Sequence, residues 1–387
     1  MSEMKSLTLN NGETYDCFVD SAARVICSAS GKSISVSDSS DLGLVGLNIN
    51  GRSTQDGTPT PTVPSSIISV GGDGRIRVGV QSATNVLPKT FLSGGLEKET
   101  GAEMADDTLQ RTEYLPCGGN VTYSVTGQGG PLRAFFYNAN KTFLSTTYLI
   151  LGDWFTTPAN CAFVRFHVAL TNYNAALRVN SVDSVTMDNL ILRGVPVTNK
   201  SLATYTDANG QMWYADELDF DRGVYVQRAM KLQLTSSMTW QKNNSGTEIY
   251  TSLESIGGVM KTENSPVLCS HFVKGAWGVT KAGQICLGNG ISSLLGISTA
   301  SFPTVDGLKS WLDNAADGVF CVIPRATPIE IPLPAEVIAA YKALHTNKPS
   351  TTIVNDENAY MTVKYIADSK SYIDNRIASA ILTATVE

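Results

Sequence analysis

Three pairs of acidic residues could supply the two carboxylates of a glycoside hydrolase: Asp106/Asp107, Asp216/Glu217 and Asp219/Asp221. That reaction needs two carboxyl groups at a defined separation on either side of the glycosidic bond. Neighbouring residues of a strand point to opposite faces of its sheet, so adjacent carboxylates do not meet this need. The spacing favours solvated turn carboxylates, and we expect no catalytic residues and no enzyme activity.

A second group of side chains could bind a sugar, because pyranose rings stack on exposed aromatic faces while Asn, Asp and Arg hold the hydroxyls. The candidate carbohydrate-binding residues are Tyr137, Trp154, Arg165, His167 and Tyr173, with Tyr148 as a further aromatic residue.

Two of these candidates have a predicted environment. His167 and Arg165 share one face of a predicted strand, opposite Val164, Phe166 and Val168, so the pattern predicts that His167 faces solvent or a groove. Trp154 follows a Gly-Asp dipeptide in a turn-rich stretch, where an exposed platform and a buried anchor are equal alternatives.

Other chemistries lack their signatures. The three histidines, His167, His271 and His345, are far apart in sequence, so no metal site is predicted. The glycine-rich stretches at 127–130 and 288–290 precede no helix that could hold a phosphate, and no G-x-S-x-G motif occurs. We therefore expect no cofactor.

Seven cysteines stand without C-x-x-C spacing, which predicts buried free thiols in a protein assembled in a reducing cytoplasm. The start of the sequence lacks the apolar region of a secretory signal, and the apolar runs are too short to span a bilayer. A net charge of −6 without basic runs disfavours nucleic acid as a partner. We expect no membrane insertion.

The elements that must position these side chains are mostly strands. Apolar residues alternate with polar ones at 76–80, 121–125, 164–170, 224–226 and 361–365, with glycine-rich turns between such segments. The pattern predicts a mainly β protein of tandem β-sandwich, jelly-roll-like domains with a short C-terminal helical segment.

Four units are predicted: an N-terminal β docking unit with a Pro-rich spacer (1–82), a β-sandwich (83–195), a second β-sandwich-like unit (196–333), and a helix, strand and terminal helix (334–387). Helices are expected near 305–313 and over 334–345, the second with Val337, Ile338, Tyr341 and Leu344 on one face. The terminal helix, 367–382, is either a trimer stem or a helix docked on its own subunit.

The Pro-rich spacer covers 53–64, where Pro59, Pro61 and Pro64 each fix their own φ and extend the preceding residue. The pattern predicts polyproline-like chain from 58 to 64 after a turn at Asp56-Gly57. Such a segment would set the distance between a docking unit and outward sandwiches, or lie along a neighbouring subunit.

Segments at both ends carry a family resemblance. The segments 7–24 (LTLNNGETYDCFVDSAAR), 47–61 (LNINGRSTQDGTPTP), 68–74 (ISVGGDG), 326–346 (ATPIEIPLPAEVIAAYKALHT) and 365–374 (YIADSKSYID) resemble tail proteins of phages that infect Gram-positive bacteria. The order of segments in 83–195 resembles carbohydrate-binding β-sandwiches.

The resemblance implies a structural component of a phage tail tip or baseplate, located in the virion and assembled in the bacterial cytoplasm. Its implied partners are other virion tail proteins, further copies of itself, with a trimer favoured, and host cell-wall glycans. The alternatives are a bacterial surface or injection-system adhesin and a glycan-depolymerising tail enzyme.

Overall fold

The architecture is taken from a computed structural model. It describes residues 4–8, 14–19, 24–30, 33–36, 42–259, 265–278, 281–288, 290–315, 317–344, 350–356 and 358–367.

Strands make up most of the described chain. The first are β1 (Met4–Thr8), β2 (Thr14–Val19), β3 (Arg24–Ser30), β4 (Ser33–Val36), β5 (Leu42–Asn50), β6 (Ser53–Gln55), β7 (Ile67–Ser69), β8 (Arg75–Asn85), β9 (Leu92–Ser93), β10 (Gly95–Leu96) and β11 (Glu103–Met104). The next are β12 (Leu109–Arg111), β13 (Leu115–Pro116), β14 (Thr122–Thr126), β15 (Leu132–Tyr137), β16 (Phe143–Leu149), β17 (Trp154–Thr156), β18 (Phe163–Ala169), β19 (Arg178–Asp188), β20 (Gly194–Val197), β21 (Tyr205–Thr206) and β22 (Met212–Ala215). The last are β23 (Glu217–Asp219), β24 (Val224–Leu234), β25 (Trp240–Lys242), β26 (Glu248–Ser252), β27 (Leu268–Cys269), β28 (Val273–Lys274), β29 (Gln284–Leu287), β30 (Leu294–Ser298), β31 (Val319–Pro332), β32 (Ser350–Val354) and β33 (Tyr360–Ala367).

Four larger sheets organise these strands. The central sheet has the order β1-β2-β3-β33-β5-β23-β24-β31-β27, and the bridging sheet has the order β17-β14-β19-β8-β32-β4. The outer sheet has the order β16-β15-β18-β12-β9, with β13 also on β18, and the distal sheet has the order β25-β26-β30-β29-β28. Within the described residues only β28 and β29 pair in parallel. The prediction of a mainly β chain built from packed antiparallel sheets is confirmed.

Three apolar cores lie between these sheets. The first joins the outer and bridging sheets, with Phe136 and Phe166 facing Val125 and Val179. This is the sandwich that alternation predicted, because each strand sends every second side chain inward.

The bridging sheet also packs on the central sheet. Val78 and Val185 from the bridging sheet contact a core that includes Leu47 and Met361 from the central sheet. A third core joins the far part of the central sheet to the distal sheet, and Leu234 and Ile249 belong to it. The cores therefore form a continuous series linked by shared sheets.

Two helices complete the cores. α1 (Val305–Asn314) begins where the Thr304 hydroxyl accepts a hydrogen bond from the Gly307 N–H at 3.1 Å, and its Leu308 is buried in the third core. α2 (Ala335–Ala343) packs Tyr341 against Phe220, with ring centroids 4.3 Å apart. Both predicted helices are confirmed. A separate single turn of 3₁₀-helix lies at Glu254–Ile256. The predicted terminal helix lies outside the described residues beyond Ala367.

The sheets cut across the predicted unit boundaries. β8 runs through the boundary at 82/83, and the central sheet contains strands from 1–82, 196–333 and 334–387. The four ranges are therefore not four separate sheets or sandwiches. Sequence periodicity finds a strand but not its partner, so it could not predict strand sharing between distant segments.

The Pro-rich segment is a hairpin loop rather than an extended spacer. β6 and β7 on either side of it pair antiparallel, with Ser53 opposite Ser69. Thr60 and Val63 exchange backbone hydrogen bonds of 2.9 and 3.2 Å, which closes a turn inside the predicted polyproline stretch. The end of the loop contacts the residue that follows β27, since the Ser65 N–H donates to the Ser270 carbonyl at 2.8 Å.

Candidate functional site

A short hairpin covers one end of the outer sheet, on the face opposite the first core. Its strands are β10 and β11, and Leu96 is buried with Phe135 and Tyr137 in a small separate core. The Tyr137 hydroxyl donates to the Gly101 carbonyl at 2.6 Å and holds the hairpin turn on the sheet. Tyr137 is thus an interior support, and its ring offers no face to a sugar.

Arg165 lies under the same hairpin with 1% of its side chain exposed. Its guanidinium donates to Glu103 at 2.9 Å and to the Thr112 carbonyl at 3.0 Å, and it lies 4.6 Å from the centre of the Tyr114 ring. A buried guanidinium needs such partners to offset its lost hydration. Arg165 therefore positions Glu103 from below and does not face solvent.

A cleft of about 470 Å³ opens beside this hairpin. It is lined by Ser93, Gly94, Glu103, Met104, Ala105, Asp106, Asp107 and Arg111. We call this site the hairpin cleft.

Glu103 and Arg111 form the polar centre of the hairpin cleft. Arg111 Nη2 donates to Glu103 Oε2 at 2.6 Å, and Arg165 donates to Oε1, so Glu103 accepts from two guanidinium groups. Arg111 also donates to the Ser93 carbonyl. A Cβ at Gly94, which has φ +94°, would lie 2.8 Å from Arg111 Nη1, so glycine is needed for this arrangement.

Two carboxylates of the hairpin cleft, Glu103 and Asp106, have lowered pKa values. Hydrogen bonds from Arg111 and then Arg165 hold the pKa of Glu103 below its usual value. Hydrogen bonds from the Thr108 side chain and backbone lower the pKa of Asp106. A glycoside hydrolase of the usual kind needs one carboxylic acid with a raised pKa. Neither group meets that need, and both can accept hydrogen bonds from hydroxyl groups.

His167 is half-buried at the edge of the hairpin. Its Nδ1 accepts a hydrogen bond from the Leu96 N–H at 3.1 Å, and its ring lies 5.0 Å from that of Phe135. Burial lowers its pKa, with the Arg133 charge as a second cause, so the imidazole is neutral at pH 7. The structure thus places His167 beneath the hairpin, where its ring contacts Leu96 and Phe135.

The remaining two candidates lie elsewhere. Tyr173 packs its ring 4.9 Å from that of Phe91, at the flank of the first core. Trp154 is half-buried on the bridging sheet, where its indole closely approaches Gly79. Trp154 therefore combines both alternatives, being an anchor on one side and partly exposed on the other.

Of the five predicted residues, the structure brings Tyr137, Arg165 and His167 together beneath the hairpin cleft. They support its wall from inside. Glu103 and Arg111 line the cleft, and sequence reasoning missed both. Among the residues that line the cleft, only Asp106 and Asp107 were noted in the sequence, as an acidic pair.

The other acidic pairs are structural. Asp216 is fully buried and accepts four hydrogen bonds, while Glu217 pairs with Arg228 at 2.8 Å. Asp219 accepts from the Arg222 N–H at 3.0 Å, and Asp221 pairs with Lys364 at 2.6 Å. Each carboxylate has a partner that explains its place in the fold.

Further properties bear on the remaining chemistry. The described part of the chain contains no group of three His, Cys, Asp or Glu residues that could hold a metal ion. Among the helices of that part, none is long and apolar enough to cross a bilayer. The five cysteines with described side chains, Cys117, Cys161, Cys269, Cys286 and Cys321, are free thiols.

Comparison with known proteins gives little. No protein family and no curated protein matches the sequence. One matching solved structure is the infectious bursal disease virus VP2 subviral particle, which is 9% identical, with 94% of this chain and 79% of that chain covered. Its TM-score is 0.08, so the match carries no argument about fold or function.

Proposed function

We propose that this chain is a non-enzymatic structural component of a phage tail tip or baseplate, and that it contacts host cell-surface glycans through the hairpin cleft. The observation that carries the glycan contact is the Glu103–Arg111 pair, which is set in an open cleft on the outer sheet. That face lies opposite the core shared with the bridging sheet, so a ligand there disturbs no packed interface.

The chemistry of the cleft suits a sugar. Carboxylates accept hydrogen bonds from hydroxyls, Arg111 donates, and Met104 offers an apolar side. A volume of about 470 Å³ falls in the range of small-ligand sites. Glu103 and Asp106 both have lowered pKa values, so neither is suited to donate a proton for glycosidic cleavage, which favours binding over depolymerisation.

The tail assignment rests on the paired terminal segments. In the fold, 47–50 lie in β5 and 326–332 lie in β31, which are both strands of the central sheet. A tail component must form a rigid body between its neighbours, and a series of cores linked by shared sheets suits that role. A homo-oligomer, with a trimer favoured, is part of the proposal.

Immunolabelling of particles separates the leading proposal from the adhesin. Antibodies against the purified chain should label the tail tip of phage particles released by lysis. If the antibodies label intact cells and leave the particles unlabelled, the tail proposal is rejected in favour of the bacterial adhesin. Light scattering of the purified chain tests the oligomer, since a strict monomer contradicts it.

A further inference from the structure

One row of side chains crosses four neighbouring strands of the outer sheet. Tyr148 on β16 is opposite Arg133 on β15, Arg133 is opposite His167 on β18, and His167 is opposite Arg111 on β12. Directly opposite residues point to the same face of a sheet. Tyr148 therefore shares its face with the hairpin cleft, across three strand spacings, or about 14 Å.

The Tyr148 end of this row is open to solvent, the middle is covered, and the Arg111 end lies in the lining of the hairpin cleft. Tyr148 is 56% exposed, because it lies on the edge strand β16 and on the face of the outer sheet that points away from the first core. The hairpin covers His167 through its bond to Leu96. The Arg133 guanidinium lies 5.4 Å from the centre of the Tyr148 ring and holds it by a cation–π contact. The ring is thus an oriented, exposed aromatic face.

We propose that Tyr148 and Arg133 form a second sugar-binding position, and that one neutral, linear oligosaccharide spans it and the hairpin cleft. This inference rests on the proposed function. One sugar ring stacks on Tyr148, and Arg133 donates hydrogen bonds to the hydroxyls of that sugar. A later sugar unit of the same oligosaccharide enters the hairpin cleft. A monosaccharide cannot bridge this distance, so the site selects for chain length.

The charges favour a neutral glycan. Glu103, Asp106 and Asp107 line the cleft with Arg111 as the one cation in that lining, so a phosphate-bearing polymer meets repulsion at this end. Because the carboxylates of Glu103 and Asp106 stay ionised, this repulsion persists at neutral pH. Neutral hydroxyls meet acceptors and donors alike.

Calorimetric titration with ladders of neutral oligosaccharides, from monosaccharide to hexasaccharide, tests the second position. The ladders are built from glucose, galactose, rhamnose or N-acetylglucosamine. Tyr148→Ala should weaken binding of the longer members by about tenfold. Tyr148→Ala should leave the affinity for the shortest binding members unchanged. Tyr148→Trp keeps an aromatic face, so its affinity should still increase with the length of the oligosaccharide. Leu170→Ala is the matched control, since Leu170 is an equally exposed side chain at the same end of the sandwich.

The outcomes separate the two claims. Binding that Glu103→Gln weakens at every length, but that Tyr148→Ala leaves unchanged at every length, overturns the second position and keeps the cleft. Absence of binding by every ladder to the wild-type chain removes the proposed glycan contact together with this inference. Tighter binding of a phosphate-bearing glycan than of its neutral counterpart overturns the preference for neutral ligands.

Discussion

At the scale of single residues, Asp216 connects three parts of the chain through one buried carboxylate. Its Oδ1 accepts from the Arg228 and Ala229 N–H groups, each at 2.7 Å, and its Oδ2 accepts from the Arg193 N–H at 2.8 Å and the Tyr225 hydroxyl at 3.0 Å. The β24–β31 register shifts between Gln227 and Ala229. Asp216 accepts the strand N–H groups at this irregularity, which would otherwise cost free energy when buried.

Asp216→Asn should lower the free energy of unfolding by about 2–3 kcal/mol, because an amide N–H₂ then faces backbone N–H donors. Urea unfolding of the purified variant measures the change. Asp183→Asn, at an exposed strand position, is the control and should change stability little. An equal effect of the two substitutions would contradict the role of Asp216.

The same carboxylate predicts a pH dependence. Burial raises the pKa of Asp216 to about 6, above the ordinary aspartate value of about 4. The folded state then binds this proton more tightly than the unfolded state, so the stabilisation is full below pH 4 and is lost as the pH rises to 6. The stability difference between wild type and Asp216→Asn should therefore be larger at pH 4 than at pH 7, and a constant difference would exclude the shift.

Two thiols in contact predict a disulfide under oxidising conditions. Cys117 Sγ and Cys161 Sγ lie 3.4 Å apart, and the Cys117 N–H donates to the Ala162 carbonyl at 2.9 Å, which keeps the two segments together. Oxidised glutathione should accept the two electrons in two exchange steps, releasing two glutathione thiols and removing two hydrogen atoms from the protein.

Burial raises the pKa of Cys117 to about 12, so little thiolate is present at pH 7 and the exchange should accelerate as the pH rises. Peptide mass spectrometry under non-reducing conditions identifies the 117–161 bond. Cys117→Ser should abolish it. Stable glutathione adducts without the internal bond would show that the two sulfurs cannot reach bonding distance.

At the scale of elements, β31 shows a strand edge closed by its own residues. The Leu333 N–H donates to the Gly223 carbonyl at 2.9 Å, so in an antiparallel ladder Ile331 and Ile329 also direct their backbone groups to β24. Pro328, Glu330 and Pro332 direct theirs outward. Among the described residues no strand pairs with this outer edge of 328–332, and proline at two of the three outward positions removes the N–H groups that another strand would need.

Replacing Pro328 and Pro332 together by threonine should therefore make the chains associate. Threonine restores two outward N–H groups beside the exposed Ile329 and Ile331. Light scattering should show concentration-dependent particles larger than those of the wild type. Pro64→Thr, in the exposed hairpin loop, serves as the control. An unchanged particle size for the double variant would show that the prolines do not close the edge.

Local patterns predicted the elements well, because each depends on neighbouring residues. Alternation identified the strand around Val164 to Val168, and a helix was expected near 305–313, where α1 lies. Pairing over long distances could not be predicted in this way. Arg165 has the same alternating position as a surface residue, yet the hairpin at 95–104 covers it. The Pro-rich loop likewise has extended local chemistry, and only the β6–β7 pairing folds it back.

The hairpin cleft was hidden for the same reason. Glu103 and Arg111 meet only because β10 pairs with β11 and β12 pairs with β18. Sequence reasoning chose Tyr137, Arg165 and His167 as sugar-binding residues, and the structure places these three side chains beneath the hairpin, where they support it. Burial of a charged residue depends on what covers it, and no local periodicity reports that.

At the scale of the whole molecule, distant parts of the chain are joined in the same sheets. β33 lies between β3 and β5 in the central sheet, and β32 lies between β8 and β4 in the bridging sheet. Deleting 350–387 removes an interior strand from each sheet and should leave a chain that is rapidly degraded by protease. Deleting only 368–387 keeps both strands and is the matched control. Equal protease resistance and equal melting temperatures for the two truncated chains would contradict this dependence.

The central claim is that the chain binds host glycans through the hairpin cleft without cleaving them. Sedimentation of the purified protein with host cell walls, combined with a reducing-end assay of the supernatant, tests it most directly. We predict that the cell walls retain the wild type saturably and release no reducing ends. They should retain Glu103→Gln clearly less than the wild type, and Asp107→Asn should also be retained less, with a smaller loss than Glu103→Gln. Equal retention of all three proteins, or release of reducing ends by the wild type, would contradict the claim.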